Sequence, residues 1–196
     1  METTMPDINV KPGHLFVISA PSGAGKTTLS NYLRQRLPEL KYSVSYTTRP
    51  KRPNEVQGRD YHFVRTAEFE RMAAENKLLE WANVHGNYYG TSLNYVKNEL
   101  AAGRNILLEI DIKGAKQILD KGFECVTIFI MPPDMETLRQ RLRGRGDEAP
   151  ESVELRMQNA LAEIAQKDMY QHIIVNDDLE KAQTELYKLV AGVIYG

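Results

Sequence analysis

Two groups of residues have the types and spacing for phosphate chemistry. The first is Ala20-Pro21-Ser22-Gly23-Ala24-Gly25-Lys26-Thr27. It follows the apolar run Leu15-Phe16-Val17-Ile18 and opens a pattern with Leu29, Tyr32, Leu33 and Leu37 at helical spacing. A strand, a glycine-rich loop and a helix in that order are the context of the Walker A motif. The glycines let backbone N–H groups turn inward around phosphate oxygens, and the helix N-terminus adds partial positive charge. Lys26 is expected between the β- and γ-phosphates of a nucleotide, and the Thr27 hydroxyl on Mg²⁺. The first motif position is Ala20 rather than glycine, which matters little if no positive φ is needed there. A glycine-rich turn with no ligand is the other reading, and it leaves Gly23, Gly25, Lys26 and Thr27 in register without a reason.

The second group is arginine. Arg49 and Arg52 lie in Ser45-Tyr46-Thr47-Thr48-Arg49-Pro50-Lys51-Arg52, a loop stiffened by Pro50 and Pro53. Planar guanidinium groups grip a phosphate through paired N–H bonds, although a solvated basic loop fits the same spacing. Arg139, Arg141, Arg143 and Arg145 fall within seven residues, and Arg141 and Arg145 share a helix face. They fit a mobile phosphate-covering loop or a basic solvent face. Tyr61, Trp81, Tyr88 and Tyr89 are either a small core or part of a ligand site.

These residues need elements to place them. Buried strands are predicted at 15–18, 105–112, 126–131 and 172–175. Helices are predicted at 27–37, 67–76, 93–101, 114–121, 134–143, 151–169 and 178–194. Apolar strands alternating with helices imply a mostly parallel sheet covered on both faces. Residues 43–95 break that rhythm with extended, aromatic pieces and read as an inserted subdomain. Residues 1–13 have no periodicity and read as a loose tail.

Five further patterns join the phosphate loop: Ser-x-Thr-Thr-Arg-x-x-Arg (Ser45 to Arg52), Gly-x-Asp-Tyr-x-Phe (Gly58 to Phe63), Glu-Trp-Ala (Glu80 to Ala82), Gly-Asn-Tyr-Tyr-Gly-Thr (Gly86 to Thr91) and Val-Asn-Asp-Asp (Val175 to Asp178). In that order and spacing, from about 14 to 194, the chain resembles the guanylate kinases. The resemblance implies a P-loop NTPase fold over 14–194, with a GMP-binding insertion at 43–95 and a mobile lid region at 134–156. It implies that Ala20 to Thr28 and Asn176 bind ATP, with Asn176 near the adenine and Mg²⁺ as cofactor. It also implies that Arg49, Arg52, Tyr61 and Tyr89 hold the GMP phosphate and that Ser45, Glu80 and Thr91 read the guanine. Glu109 and Asp111 would lie near the acceptor and metal-bound waters, and Arg141, Arg145 and Arg156 would close over the phosphates.

The bulk numbers agree with a small-molecule enzyme. Lys+Arg and Asp+Glu are 25 and 26, a net charge of −1, which is not the basic footprint of a nucleic-acid binder. No apolar run approaches the roughly 20 residues of a membrane helix. The first 13 residues lack a charged and then apolar signal pattern, so a cytoplasmic setting is expected. The single cysteine, Cys125, reads as a core thiol. Three alternatives stay open: a kinase of another nucleoside monophosphate, a non-catalytic guanylate-kinase-like binding module, and a regulatory GTPase. Asn176-Asp177-Asp178 lacks the lysine of the guanine-reading Asn-Lys-x-Asp, which argues against the last.

Overall fold

The computed structural model describes residues 11–84, 86–144 and 150–196; the predicted lid residue Arg145 lies outside the described residues. The chain begins with β1 (Leu15–Ser19), α1 (Lys26–Arg36) and β2 (Lys41–Tyr42). A second unit follows: β3 (Tyr46–Thr47), β4 (His62–Phe63), α2 (Thr66–Ala74), β5 (Leu78–Val84) and β6 (Asn87–Ser92). Then come α3 (Leu93–Ala101), β7 (Ile106–Glu109), α4 (Ile112–Asp120), β8 (Val126–Met131), α5 (Met135–Arg143), α6 (Pro150–Ile164), β9 (His172–Val175) and α7 (Leu179–Tyr195).

The main sheet has five strands in the order β2-β7-β1-β8-β9, and every pairing in it is parallel. Alternation along β1 explains its two faces. Phe16 and Ile18 pack with Leu29 and Leu33 of α1, with its C-cap Leu37, and with Leu186 and Val190 of α7. Leu15 and Val17 pack with Val96 of α3 and with Ile112, Ala115 and Ile118 of α4. β1 is apolar from Leu15 to Ile18 because both of its faces are covered, and its one polar residue, the buried Ser19, comes at the end that leads into the phosphate loop. It is also the point from which the chain winds first toward β2 and β7, then back toward β8 and β9. In such sheets ligands bind at the carboxyl ends of the strands beside that switch.

The smaller sheet has the order β4-β3-β6-β5, with β3–β6 and β5–β6 antiparallel. Alternation sorts its aromatic residues into two roles. Phe69, Trp81 and Tyr88 pack together, with Phe69 and Tyr88 stacked at 5.3 Å and Trp81 edge-on to both. Phe69, fully buried, anchors this cluster from α2, while Trp81 covers it from the solvent side and stays 39% exposed. Tyr61 and Tyr89 meet edge to face at 5.9 Å, and both line the cleft between the sheets.

Three elements differ from expectation. The strand expected over 105–112 is only Ile106–Glu109, because Asp111 already caps α4, which starts at Ile112. Ser43-Val44-Ser45-Tyr46 alternates as an extended piece at the start of the insertion, yet only Tyr46 of these is in a strand, because the chain there leaves β7, with Ser43 N–H still donating to Leu107 O at 3.2 Å, and crosses to the second sheet. The helix expected over 151–169 ends at Ile164. A 3₁₀ turn, Lys167–Met169, then tightens the chain before β9.

Candidate active site

The phosphate loop joins β1 to α1. Gly23 and Gly25 have φ of +91° and +98°, values that L side chains rarely adopt. Ala20 is not among the described residues with positive φ, so alanine costs nothing there. Gly25 caps α1 in a left-handed conformation. Lys26, the next residue, donates through Nζ to Ile110 O at 3.1 Å. Burial lowers the Lys26 pKa, while Glu109, Asp111, Glu163 and Glu80, in that order, oppose the shift. The ammonium therefore stands amid carboxylates at the strand ends. Pro21, Gly23 and Ala24 are buried beneath the loop, whereas Ser22, Thr27 and Thr28 are exposed.

α6 reaches back to the same loop. Arg156 Nη2 donates to Ser22 Oγ at 2.6 Å, and burial raises the Glu163 carboxyl on the same helix, with Asp111 adding to the shift and Lys26, Lys113 and the Ser22 backbone opposing it. α5 lies over the loop as well, since a Cβ on Gly23 would come within 3.0 Å of Leu138 and Leu142. α5 and α6 share a small core of Leu138, Leu142, Val153, Met157 and Ala160, and Arg139 pairs with Glu154 at 2.8 Å. Arg141 Nη2 donates to Asn176 O at 3.0 Å, while its Nη1 is buried with no hydrogen-bond partner among the described residues. Asn176 is 5% exposed, and its amide donates to Ala24 O at 2.8 Å. A Cβ on Gly25 would lie 2.3 Å from that amide nitrogen. The Asn176 side chain thus props the loop from below instead of offering a free amide at the surface.

Across the cleft, Ser45, Tyr61, Glu80, Tyr89, Glu109 and Asp111 line one pocket. Glu80 is 3% exposed, and its Oε1 accepts from Thr91 Oγ1 at 2.6 Å. Burial pushes the Glu80 carboxyl up to about 7; the Thr91 hydroxyl opposes this, Asp111 adds to it, and Lys121 and Lys26 oppose it. A buried carboxylate held near neutrality in a cleft marks a binding group. Burial also raises Glu109, against the pull of Lys26, Ser30, Arg34 and Thr27.

Arg49 lies on the opposite lip, with its guanidinium 5.4 Å from the Tyr61 ring centre and 5.7 Å from that of Phe63. Its fork is filled by the Glu55 carboxylate, Nη1 to Oε2 at 3.0 Å and Nη2 to Oε1 at 2.7 Å. The Arg52 N–H also donates to Glu55, at 2.8 Å. The Arg49 bond holds the Glu55 carboxyl down at about 2, helped by the Arg52 backbone. Sequence reasoning did not single out Glu55, nor Tyr42, which lines the same pocket. The visible signal for Glu55 was its place six residues from Arg49 in the same proline-stiffened loop.

Among the described residues no three His, Cys, Asp or Glu side chains cluster as a metal cage. Mg²⁺ needs none, because it takes one or two protein oxygens and keeps waters and phosphate oxygens. Thr27 and Glu109 bring a hydroxyl and a carboxylate close enough for the hydroxyl to act on the carboxylate's charge at the end of β7. These are hard oxygen donors, and they fit that ion. A larger cavity, about 650 Å³, opens at the far end of the sheet beside Cys125. Burial pushes that thiol up to about 11, which leaves it protonated and a poor nucleophile. Among the described residues no helix is long and apolar enough to cross a membrane.

Residues 13–192 match the family model for guanylate kinase. A guanylate kinase of Dechloromonas aromatica (strain RCB) is 46% identical over 186 residues, covering 94% of this chain and 92% of that protein. A guanylate kinase of Carboxydothermus hydrogenoformans (strain ATCC BAA-161 / DSM 6008 / Z-2901) is 49% identical over 174 residues, covering 89% of this chain and 85% of that protein. Among solved structures, guanylate kinase from Anaplasma phagocytophilum superposes with a TM-score of 0.76 at 32% identity, covering 95% of this chain and 88% of that one. A phosphate loop facing a buried carboxylate across a cleft, in a chain so matched along nearly its whole length, belongs to the guanylate kinase family.

Proposed function

We propose that this protein transfers the terminal phosphoryl group of ATP to GMP in the cytoplasm, giving ADP and GDP for purine nucleotide metabolism. The observation that carries the reading is the buried Glu80 carboxylate, bonded to Thr91, in a cleft whose other wall holds Lys26 close enough to act on its charge. An oxygen of the GMP phosphate attacks the γ-phosphorus of ATP, and the bond to the ADP oxygen breaks. Such a transfer needs alignment and charge neutralisation more than acid–base chemistry.

Ala20 to Thr28 wrap the ATP phosphates, with backbone N–H groups and Lys26 as donors and Asn176 holding the loop's shape. Thr27, with waters held by Glu109 and Asp111, would place Mg²⁺, which offsets phosphate charge when bound. Arg49, Arg52, Tyr61 and Tyr89 receive the GMP phosphate, which competes with Glu55 for the Arg49 fork. Ser45, Glu80 and Thr91 take the base. Arg141 and Arg156, already anchored beside the loop, act with Arg145 on the transferring group and exclude water.

The test is a coupled assay with ATP and each of GMP, AMP, CMP, UMP and dTMP. Turnover with GMP far above the rest is the expected result, and absence of turnover with all five refutes the reading. The arginines divide by role. Arg49→Ala and Arg52→Ala are expected to raise the GMP KM strongly, through loss of ground-state binding. Arg141→Ala is expected to lower kcat more than it raises that KM, because its buried Nη1 meets a partner only in the closed complex. The same steady-state profile for all three variants would refute the division.

A further inference from the structure

We propose that α4 is a specificity element, in which Gly114, Gln117 and Lys121 form one stripe that positions Glu80 for reading the base. The inference rests on the assignment of Glu80 as the base reader. Positions three and seven residues apart share a helix face, and this face lies along β5. At Gly114 the two elements meet without a side chain between them. A Cβ there would lie 2.3 Å from Glu80 Oε2, 3.0 Å from its Cδ and 3.2 Å from Asp111 Oδ1. Gly114 is not among the glycines with positive φ, so the backbone does not require glycine, and glycine inside a helix is less stable than alanine. What the missing side chain provides is room for the carboxylate.

One turn on, Gln117 brackets the backbone next to Glu80. Its Nε2 donates to Trp81 O at 2.6 Å, and its Oε1 accepts from Trp81 N at 3.1 Å. Lys121, the cap residue of α4, donates to Leu79 O and, at 3.5 Å, to Leu78 O. β5 has its register shift between Leu78 and Glu80. A bulge of this kind re-aims a side chain and takes backbone groups off the ladder, and the Lys121 ammonium takes those carbonyls. One helix therefore holds the backbone on both sides of Glu80 and leaves the space that one of its carboxylate oxygens occupies. The same helix starts at Asp111, whose carboxylate caps it by accepting from Gly114 N at 2.7 Å. Base reading and the acceptor side of the cleft are thereby built on one rigid part.

Gly114→Ala tests this. The atom in the way is the far end of a flexible side chain, so the fold tolerates the methyl while Glu80 Oε2 moves by about 1 Å. Misplacement of that size can cost on the order of 10²-fold, and the GMP-over-AMP ratio of kcat/KM is expected to fall about 10-fold or more. The ATP KM is expected to stay within about twofold, and Tm to hold or rise. The loss is expected to vanish in a Glu80→Ala background, as a coupled pair requires. A folded Gly114→Ala variant with the wild-type ratio overturns the proposal, and so does an equal loss in both backgrounds. Should Gly114→Ala not fold, Gln117→Leu carries the test: a fall of a few-fold in the ratio supports the proposal and an unchanged ratio overturns it. If Glu80→Ala itself leaves the ratio unchanged, the reading of Glu80 has failed. If Glu80→Ala collapses the ratio and Gly114→Ala does not, only the role of α4 has failed.

Discussion

Lys26→Ala is expected to lower kcat with ATP and GMP by about 10²–10³, the usual cost of removing one preorganised contact to developing charge. The fold is expected to survive. In the free protein the ammonium donates to Ile110 O, and α1 and its C-cap are held through Leu29, Leu33 and Leu37, none of which depends on it. Burial disfavours the charged form of Lys26, so removing it also removes a desolvation cost. Against this, Glu109 and Asp111 lose the nearest cation that offsets them, and Lys26→Met, which keeps the packing, controls for volume. Steady-state kcat and thermal unfolding of both variants decide the matter. Near-full kcat in a folded Lys26→Ala would mean that the loop does not hold the transferring phosphates.

The phosphate loop could be read from the sequence because its chemistry is local. Positive φ at Gly23 and Gly25 and a cation at Lys26 depend on residues adjacent in the chain. The main sheet was legible for a related reason: strands buried on both faces, such as β1 and β8, are apolar along nearly their whole length, with Ser19 and Thr127 the buried polar exceptions. The second sheet was less so. Its β3 and β4 have two residues each, and what fixes them is pairing between residues far apart, such as Tyr46 with Gly90. Residue pattern alone also could not separate Tyr61 and Tyr89 from Trp81 and Tyr88; sheet alternation and the place of α2 did. Asn176 was expected beside the adenine, but its amide is turned inward to Ala24, a contact spanning most of the chain. Glu55 and the α4 stripe went unread because their role lies in what they touch. A glycine inside a helical pattern, at Gly114, was the one local hint that something needed space there.

The most specific expectation concerns Glu80→Gln. Guanine presents N1–H and a 2-amino group side by side, and a carboxylate accepts from both. Gln replaces one acceptor oxygen with a donor and removes the charge, and a charge-assisted hydrogen bond is worth roughly 1.5–3 kcal/mol. GMP kcat/KM is therefore expected to fall about 10–150-fold. AMP is expected to lose far less, because an amide can donate to the bare N1 of adenine. The pH dependence follows from the same group. Burial holds the free carboxyl at about 7, and the two guanine donors favour its ionised form, so binding GMP releases a proton. Affinity is then full above the free value and is lost as pH falls through it, by up to about tenfold per unit. In acid, the protonated Glu80 can itself donate to adenine N1, so selectivity narrows from both sides. The GMP phosphate titrates near 6 as well, but that contribution is common to wild type and variant. Measuring the GMP/AMP ratio of kcat/KM from pH 5.5 to 8.5 in both separates the two sources. A wild-type ratio that does not change with pH, or a Glu80→Gln ratio equal to wild type at pH 8, would mean that this carboxylate does not read the base.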